Sequence, residues 1–181
     1  MTNLPRLLLI AGTGRNTGKT TLACAVIRKF ALLKSIISVK ITPHFHKNIK
    51  SGMVLTDDPN LYIAEETDPT TGKDSSMMLE AGASHSYFVM TTDEHVQEAF
   101  CKIVELFPPD SLIICESGGL RLHTNPGLFF MMQKKETETI KPTAEKLMLL
   151  ADHVITFDGE KIDFDPDRIE IEDNHWTLKH Q

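Results

Sequence analysis

Apolar and polar residues alternate in blocks along this chain, and the blocks predict strands and helices in turn. Six short apolar runs are typical of strands that are buried on both faces of a parallel sheet. These runs lie at residues 7–11, 35–41, 86–90, 112–115, 128–132 and 153–157. Apolar residues at helical spacing and helix-capping signals predict helices between the strands. The predicted helices lie at residues 20–33, 75–83, 93–107 (with Asp93 as the expected cap) and 143–151.

This order of elements predicts an α/β fold. A strand that is followed by a helix and a parallel strand is the repeating unit of doubly wound sheets, which carry helices on both faces. We therefore expect a single domain over residues 1–181, with three α/β/α layers and a mostly parallel central sheet. The Phe and Met residues at 129–132 are expected to be core strand.

The alternation breaks between about residues 42 and 73, where three prolines and two glycines interrupt the pattern. Two strand-like pieces in this insertion, residues 53–55 and 61–64, are predicted to pair as a hairpin. A long insertion that follows a strand at the ligand-binding edge of a sheet is usually a lid or a specificity element. The acidic tail after Asp158 carries the one tryptophan of the chain, Trp176, and is expected to fold back as a small edge element.

Charge and composition exclude several classes of function. The formal net charge of −6 argues against nonspecific binding to nucleic acid or to an anionic membrane. No apolar stretch reaches the roughly 18 residues that span a bilayer, and the apolar start lacks the pattern of a signal peptide, so a cytoplasmic protein is expected. Cys24, Cys101 and Cys115 lie far apart in apolar runs. This spacing predicts buried thiols rather than a zinc site or disulfides.

The first predicted strand leads directly into a glycine-rich segment, Gly12-Thr13-Gly14-Arg15-Asn16-Thr17-Gly18-Lys19-Thr20-Thr21. In such a turn between a strand and a helix, backbone amides and the helix dipole converge on phosphate. Gly18 allows close approach of the backbone, Lys19 reaches the outer phosphates, and the Thr20 hydroxyl is available to Mg²⁺. Thr13 stands where the ordinary phosphate loop has its first glycine, so the spacing is a variant. The segment predicts binding of a nucleoside triphosphate with Mg²⁺.

The variant loop, Gly12-Thr13-x4-Gly18-Lys19-Thr20, resembles that of dethiobiotin synthetase and its relatives in the SIMIBI class of P-loop proteins. The chain also resembles the molybdopterin-guanine dinucleotide biosynthesis protein B family of that class in three further segments. These are Val39-Lys40-Ile41-Thr42-Pro43-His44-Phe45-His46, residues 73–83 from Lys73-Asp74-Ser75-Ser76 to Ala81-Gly82-Ala83, and Ile113-Ile114-Cys115-Glu116-Ser117-Gly118-Gly119. Together the matches cover residues 5–157 in order. The resemblance implies a P-loop NTPase fold, GTP or ATP as ligand, a homodimer and a partner protein in cofactor biosynthesis.

The chain departs from that family at several points. Ile41-Thr42-Pro43 separates Lys40 from the histidines, and residues 48–73 have no counterpart in the family. Ser117-Gly118-Gly119-Leu120-Arg121 replaces the family's Gly-Phe-Lys. The Asn-Lys-x-Asp motif that selects guanine in the commoner GTPases is also missing. The choice between guanine and adenine therefore stays open.

Two carboxylates are candidate metal ligands together with Thr20. Glu116 follows four apolar residues at the carboxyl end of a strand, where open α/β sheets bind ligands, although a solvated acid at a strand end is the alternative. Asp74 is a candidate N-cap of the helix that follows and, by the resemblance, also the second carboxylate of the Mg²⁺ site; the two roles are compatible.

Lys19 and Lys40 are the candidate catalytic residues. Lys40 ends an apolar strand beside the predicted phosphate site and resembles the lysine that faces substrate and γ-phosphate in dethiobiotin synthetase. A lysine at this place is able to neutralise charge as a phosphoryl group transfers. Four other residues are weaker candidates for substrate contact, with a polar loop as the alternative: His44, His46, Arg121 and His123.

Three functions fit these features. The first is a Mg²⁺-dependent nucleotide-binding protein with weak GTPase or ATPase activity, accessory to molybdopterin-guanine dinucleotide or related cofactor biosynthesis. The second is an ATP-dependent ligase or kinase that activates a small carboxylate or carbamate. The third is a non-catalytic switch, in which the insertion at residues 42–73 docks a partner when the γ-phosphate is present. The first is favoured, because the substrate-binding signature of dethiobiotin synthetase is not found.

Overall fold

The computed structural model describes residues 1–45, 52–136 and 140–179. Its main feature is an eight-stranded sheet with the strand order β3-β4-β5-β2-β6-β1-β7-β8. The strands are β1 (Thr2–Gly12), β2 (Ile36–Thr42), β3 (Met53–Asp58), β4 (Leu61–Glu65), β5 (His85–Thr91), β6 (Leu112–Glu116), β7 (Thr124–Lys134) and β8 (His153–Phe157). The six strands from β5 to β8 in this order pair in parallel. The predicted α/β class and mostly parallel sheet are therefore confirmed.

Helices cover both faces of this sheet. They are α1 (Lys19–Phe30), α2 (Asp74–Glu80), α3 (Val96–Val104) and α4 (Pro142–Met148). Because successive side chains of a strand point to opposite faces, β1 supplies two separate cores. Leu7 and Leu9 pack with α3 and α4 on one face, whereas Leu8 and Ile10 pack with α1 and α2 on the other. The residues predicted as core strand at 129–132 are buried, each at most 1% exposed.

The predicted hairpin in the insertion is present as β3 and β4. The two strands pair antiparallel from Met53 opposite Glu65 to Asp58 opposite Leu61, and β4 pairs antiparallel with β5. The described part of the insertion therefore extends the central sheet at one edge.

The tail does not form the expected element at the edge of the sheet. Its strands β9 (Ile169–Glu172) and β10 (His175–Leu178) form a separate antiparallel pair that packs on the α1 face. Trp176 is 1% exposed, and its ring meets Phe30 edge-on with centroids 5.5 Å apart. Its indole nitrogen donates to the carbonyl oxygen of Ile113 at 3.2 Å. Burial of this large ring with its one polar group satisfied explains why the tail covers a face.

Two further local expectations are wrong. The helix α3 begins at Val96 with His95 as its N-cap, so Asp93 does not cap it. The preceding turn is closed instead by Thr92, whose carbonyl accepts from the His95 amide at 3.0 Å. Cys101 is exposed, while Cys24 and Cys115 are buried. Cys101 differs because α3 turns other residues, such as Phe100, toward the core. Among the described residues, no helix is long and apolar enough to cross a membrane.

Candidate functional site

The glycine-rich segment connects the centre of the sheet to α1. The strand β1 lies between β6 and β7 and ends at Gly12, and α1 begins seven residues later at Lys19. The chain reverses through Asn16, with φ of 54°, and Gly18, with φ of 83°. The Gly18 conformation lies in the left-handed region that glycine adopts without steric cost. This sharp reversal directs the free amides of the first turn of α1 toward the loop, where they are able to receive an anion.

Two of the three loop glycines are also closely packed against other side chains. A Cβ atom on Gly12 would lie 2.5 Å from the Thr17 hydroxyl oxygen and 3.2 Å from the Lys19 ammonium nitrogen. A Cβ atom on Gly18 would lie 2.8 Å from the ring of Phe157. A Cβ atom on Gly14 would meet no atom within 4 Å. Side chains at the first two positions would therefore displace the groups that shape the loop.

The ammonium group of Lys19 closes over this loop. It donates to the carbonyl oxygen of Gly14 at 2.8 Å and to the Thr17 hydroxyl at 3.2 Å. Burial, and then the nearby charge of Lys40, lower the pKa of Lys19. Lys19 is thus a partly desolvated cation at the place where the loop offers its amides. An anion bound there would gain a stronger interaction than it would in water.

The register of the sheet brings the predicted carboxylate and lysine together. Glu116, at the end of β6, lies opposite Ile10 of β1 and Lys40 of β2. The Lys40 ammonium nitrogen lies 2.5 Å from Glu116 Oε2 and 2.8 Å from Asp74 Oδ2. The second Asp74 oxygen accepts from the Thr20 hydroxyl at 3.1 Å. Four predicted site residues from α1, α2, β2 and β6 therefore form one connected network.

The network sets the charges of its members. Burial by itself would lower the pKa of Lys40, but the carboxylates of Glu116 and Asp74 outweigh burial and raise it. Burial would likewise raise the pKa of Asp74, but the Lys40 ammonium and the Thr20 hydroxyl bring it below its ordinary value. Lys40 and Asp74 are therefore both charged at neutral pH.

This network fits a magnesium site. Thr20, Asp74 and Glu116 offer only oxygen atoms, which are the ligands that Mg²⁺ prefers. The Glu116 side chain is 1% exposed, and its Oε1 has no hydrogen-bond partner within the described parts of the chain. A buried carboxylate oxygen without a partner is costly, so it is well suited to a cation or its bound water. The N-cap of α2 is Lys73, so Asp74 is not the N-cap that it was expected to be.

No group of three or more His, Cys, Asp or Glu side chains with metal-binding placement occurs in the described residues. The candidate magnesium ligands Thr20, Asp74 and Glu116 are not such a group, because they combine two carboxylates with a hydroxyl. Sites of this kind leave several positions to water and to the oxygens of a bound phosphate.

Two cavities meet at Lys19 and Lys40. The first cavity, about 620 Å³, is bounded by the loop and the start of α1 (residues 15–21), Asp74 and Phe157. The second cavity, about 630 Å³, is bounded by Gly12, the turn at 117–119 and the region before and within α4. Five residues line both cavities: Arg15, Lys19, Lys40, Ile41 and His44. Asp74 lines only the first cavity and Glu116 only the second, so the network forms their boundary.

All ten residues of the predicted phosphate loop line one cavity or both. Gly12, Thr13 and Gly14 line the second cavity, the residues from Asn16 to Thr21 line the first, and Arg15 and Lys19 line both. Because Thr13 donates its amide to the Met132 carbonyl at 2.9 Å, the start of the loop is tied to β7.

The weaker candidates for substrate contact separate into three groups. His44 lines both cavities, and His123 lines the second. Arg121 lines neither of them; its guanidinium donates to the Thr124 carbonyl at 3.4 Å and lies over the ring of Phe129. His46 falls outside the described residues.

Sequence reasoning missed the aromatic and apolar residues of the first cavity. Met77, Phe88 and Phe157 line it, yet the sequence pattern assigned the two phenylalanines to strands and nothing more. The position of Phe157 carried a usable signal. It ends β8 at the same edge of the parallel sheet as Gly12 and Glu116, and ligands bind at that edge in open α/β sheets.

Comparisons of the chain with protein-family profiles, with curated proteins and with solved structures found no match. The family resemblance that the sequence motifs indicate therefore stays a prediction.

Proposed function

We propose that this protein binds a nucleoside triphosphate with Mg²⁺ through residues 12–21 and acts on its γ-phosphate, within a P-loop NTPase fold. The observation that carries the proposal is that Thr20, Lys40, Asp74 and Glu116 form one network at one edge of the sheet, where Lys19 and Lys40 line both cavities. These five residues were proposed from four separate segments of the sequence. Such a network supplies cations for phosphate and oxygen ligands for a metal side by side.

Each residue has a role in this proposal. The loop amides and the start of α1 hold the phosphates, and Lys19 contacts the outer ones. Thr20, Asp74 and Glu116 hold Mg²⁺, which when bound neutralises charge on the phosphate oxygens. Lys40, which lies on the boundary between the two cavities, stabilises the charge that develops as the γ-phosphoryl group leaves.

The first cavity is the place for the nucleotide. It extends from the loop and the start of α1 to Phe157, whose ring offers an aromatic surface to a base. Base–aromatic stacking is favourable for every base, because each base has a π face. The cavity is therefore suited to either a guanine or an adenine nucleotide.

We infer from the sequence resemblance that the activity is a slow GTPase or ATPase accessory to molybdopterin-guanine dinucleotide or related cofactor biosynthesis. A homodimer and a partner protein belong to that proposal. The second cavity favours another candidate, a phosphotransferase or ligase that acts on a small molecule. This cavity borders the same two lysines and is of the size that small-molecule sites have.

Calorimetric titration with nonhydrolysable ATP and GTP analogues, with and without Mg²⁺, tests the proposal. We expect Mg²⁺-dependent binding that Lys19→Ala weakens at least about a hundredfold, because a charge-assisted contact to phosphate is lost. Lys34→Ala is the matched control, since Lys34 is an exposed lysine just beyond the other end of α1. Equal binding by the wild type and Lys19→Ala would refute the assignment of the loop. A preference for the GTP analogue would favour the accessory function, and a preference for ATP would favour the phosphotransferase.

A further inference from the structure

The first turn of α2, which carries Asp74, depends on contacts with the rest of the chain. The helix has seven residues, and helices this short are scarcely stable by themselves. Its N-cap residue, Lys73, makes no side-chain capping hydrogen bond within the described structure. Ser75 and Ser76, which follow Asp74, are 2% and 0% exposed. The position of Asp74 is therefore set by what these two buried serines contact.

Ser75 joins α2 to the interior of the sheet. Its carbonyl oxygen accepts from the Ser86 hydroxyl of β5 at 2.7 Å, and the Ser86 oxygen accepts from the Ser38 hydroxyl of β2 at 2.8 Å. Ser38 and Ser86 lie opposite each other in the register of the two strands, and both are fully buried. Because Ser38 and Lys40 are two residues apart on β2, their side chains point to the same face of the sheet. The start of α2 is therefore held over β2 at two neighbouring points.

Glu66 holds Ser75 from the side of the insertion. It follows the last residue of β4 and is 4% exposed. Its Oε2 atom accepts from the Ser75 hydroxyl at 3.1 Å, and its Oε1 atom accepts from the backbone amides of Thr67 and Asp68 at 3.1 Å each. Its own amide donates to the Ser86 carbonyl at 2.8 Å. A buried carboxyl group is costly unless it is hydrogen-bonded, so these bonds fix Ser75 firmly against Glu66.

Ser76 adds a second attachment between α2 and the insertion. Its hydroxyl donates to the Asp68 carbonyl at 2.8 Å and accepts from the Thr71 amide at 3.0 Å. Residues 66–71 belong to the part of the insertion that has no counterpart in the resembled family. The start of α2 is thus held by a segment for which the resemblance gives no role.

We propose that Glu66 is a positioning residue for the metal site and acts through Ser75 on Asp74. This proposal rests on the proposed function, in which Asp74 is a ligand of Mg²⁺. Asp74 contacts the Thr20 hydroxyl at 3.1 Å and the Lys40 ammonium at 2.8 Å. Its side chain is 45% exposed, so packing does little to fix it, and the place of the helix start decides where its oxygens lie. Groups that orient metal ligands are commonly worth about ten- to a hundredfold in metal affinity.

Calorimetric titration with the nonhydrolysable ATP and GTP analogues in excess Mg²⁺ tests the proposal on four proteins. These are the wild type, Glu66→Met, Asp74→Asn and the double variant. Methionine keeps an unbranched side chain of similar length but offers no oxygen acceptor to Ser75. We expect Glu66→Met to weaken binding by about tenfold in the wild type and by less than about twofold in Asp74→Asn, which no longer supplies the carboxylate to be positioned. The number of sites per chain gives the folded fraction, so a loss of stability is not mistaken for a loss of affinity.

Ser86→Ala provides a second and milder variant, with Ser84→Ala as its matched control. The Ser84 hydroxyl donates to the Ile36 carbonyl of β2 at 2.9 Å rather than to α2. We expect Ser86→Ala to weaken binding by about threefold or more and Ser84→Ala to leave it within about twofold of the wild type. If Glu66→Met does not fold, Ser86→Ala is combined with Asp74→Asn in the same way.

The positioning role and the proposed function fail differently. Wild-type affinity in Glu66→Met, or equal weakening with and without the Asp74 carboxylate, would overturn the positioning role alone, because a merely structural loss does not depend on Asp74. Failure of the wild type to bind either analogue would overturn the proposed function, and the role of Glu66 in the metal site with it.

Discussion

Replacement of Lys40 by methionine tests whether this lysine holds the site together. Lys40→Met keeps an unbranched side chain, shorter by one heavy atom, but removes the cation that lies between Glu116 and Asp74. The Glu116 side chain is 1% exposed, so its charge would lose its partner in a place that water scarcely reaches. The Asp74 side chain is 45% exposed and would regain water. The expected cost therefore comes mainly from Glu116.

Removal of one partner of a buried ion pair costs about 3–5 kcal/mol. We expect a value near the lower end, about 3 kcal/mol, because Lys40 itself is 17% exposed and the neighbouring cavities admit some water. For a chain of this size, 1 kcal/mol corresponds to about 2–4 °C in Tm, so Tm should fall by about 6–12 °C. Urea unfolding in metal-free buffer measures the change through the fluorescence of Trp176, the one tryptophan of the chain.

Glu116→Gln serves as the matched control. It removes the buried charge, and Lys40 keeps Asp74 as a partner at 2.8 Å, so we expect a loss below about 1.5 kcal/mol. The double variant Lys40→Met/Glu116→Gln should be more stable than Lys40→Met, with a coupling energy of about 2 kcal/mol. A loss below about 1 kcal/mol in Lys40→Met, or simple addition in the double variant, would refute the reasoning.

Three further outcomes are expected. Gly12→Ala should weaken triphosphate binding by about tenfold or more, because its methyl group displaces Thr17 and Lys19. Gly14→Ala should change the free energy of unfolding by less than about 0.5 kcal/mol. Equal effects of the two substitutions on triphosphate binding and on the free energy of unfolding would contradict the loop geometry. A maleimide should label one thiol of the native protein, Cys101, because burial raises the pKa of the Cys24 thiol to about 11 and encloses Cys115 fully. In denaturant the maleimide should label all three thiols, and mass spectrometry counts the labels. A label on Cys24 in the native protein would show that the region around Cys24 opens. Trp176→Ala should lower the free energy of unfolding by about 3–5 kcal/mol, measured by circular dichroism, and a loss below about 1 kcal/mol would show that the tail is not part of the core.

The fold was predictable where burial alone decides the pattern. The strand β6 is short, and all five of its residues are buried because other elements cover both faces of the sheet, so its position follows from hydrophobicity. The tail was not predictable in the same way. Apolar residues alternate with charged ones at the start of residues 169–178, which is typical of a strand at the edge of a sheet. Only the contact of Trp176 with Phe30 shows that this segment covers a face of the central sheet.

The candidate site was predictable as a set of residues but not as a network. Each member lies at or near the end of a strand or the start of a helix, and this placement is visible in the sequence for Lys40 and Glu116. Their contact depends on β6 lying between β1 and β2 in the sheet, although β6 follows β2 by about seventy residues in the chain. Hydrophobic periodicity specifies which segments are strands and leaves the order of neighbours open. The bridge of Lys40 between two carboxylates therefore had no signal in the spacing of the residues.

The lining of the second cavity was even less predictable from the sequence than the network. Its polar lining comes from five segments that are far apart in the chain, which contribute among others Arg15, His44, Asp93, Glu116 and Lys141. No two of these residues form a motif, because a cavity imposes position in space and not spacing along the chain. The lack of a recognisable substrate-binding signature in the sequence favoured an accessory function over a phosphotransferase. The second cavity borders Lys19 and Lys40 and weakens this argument against a phosphotransferase, because a site built from five separate segments leaves no signature in the sequence.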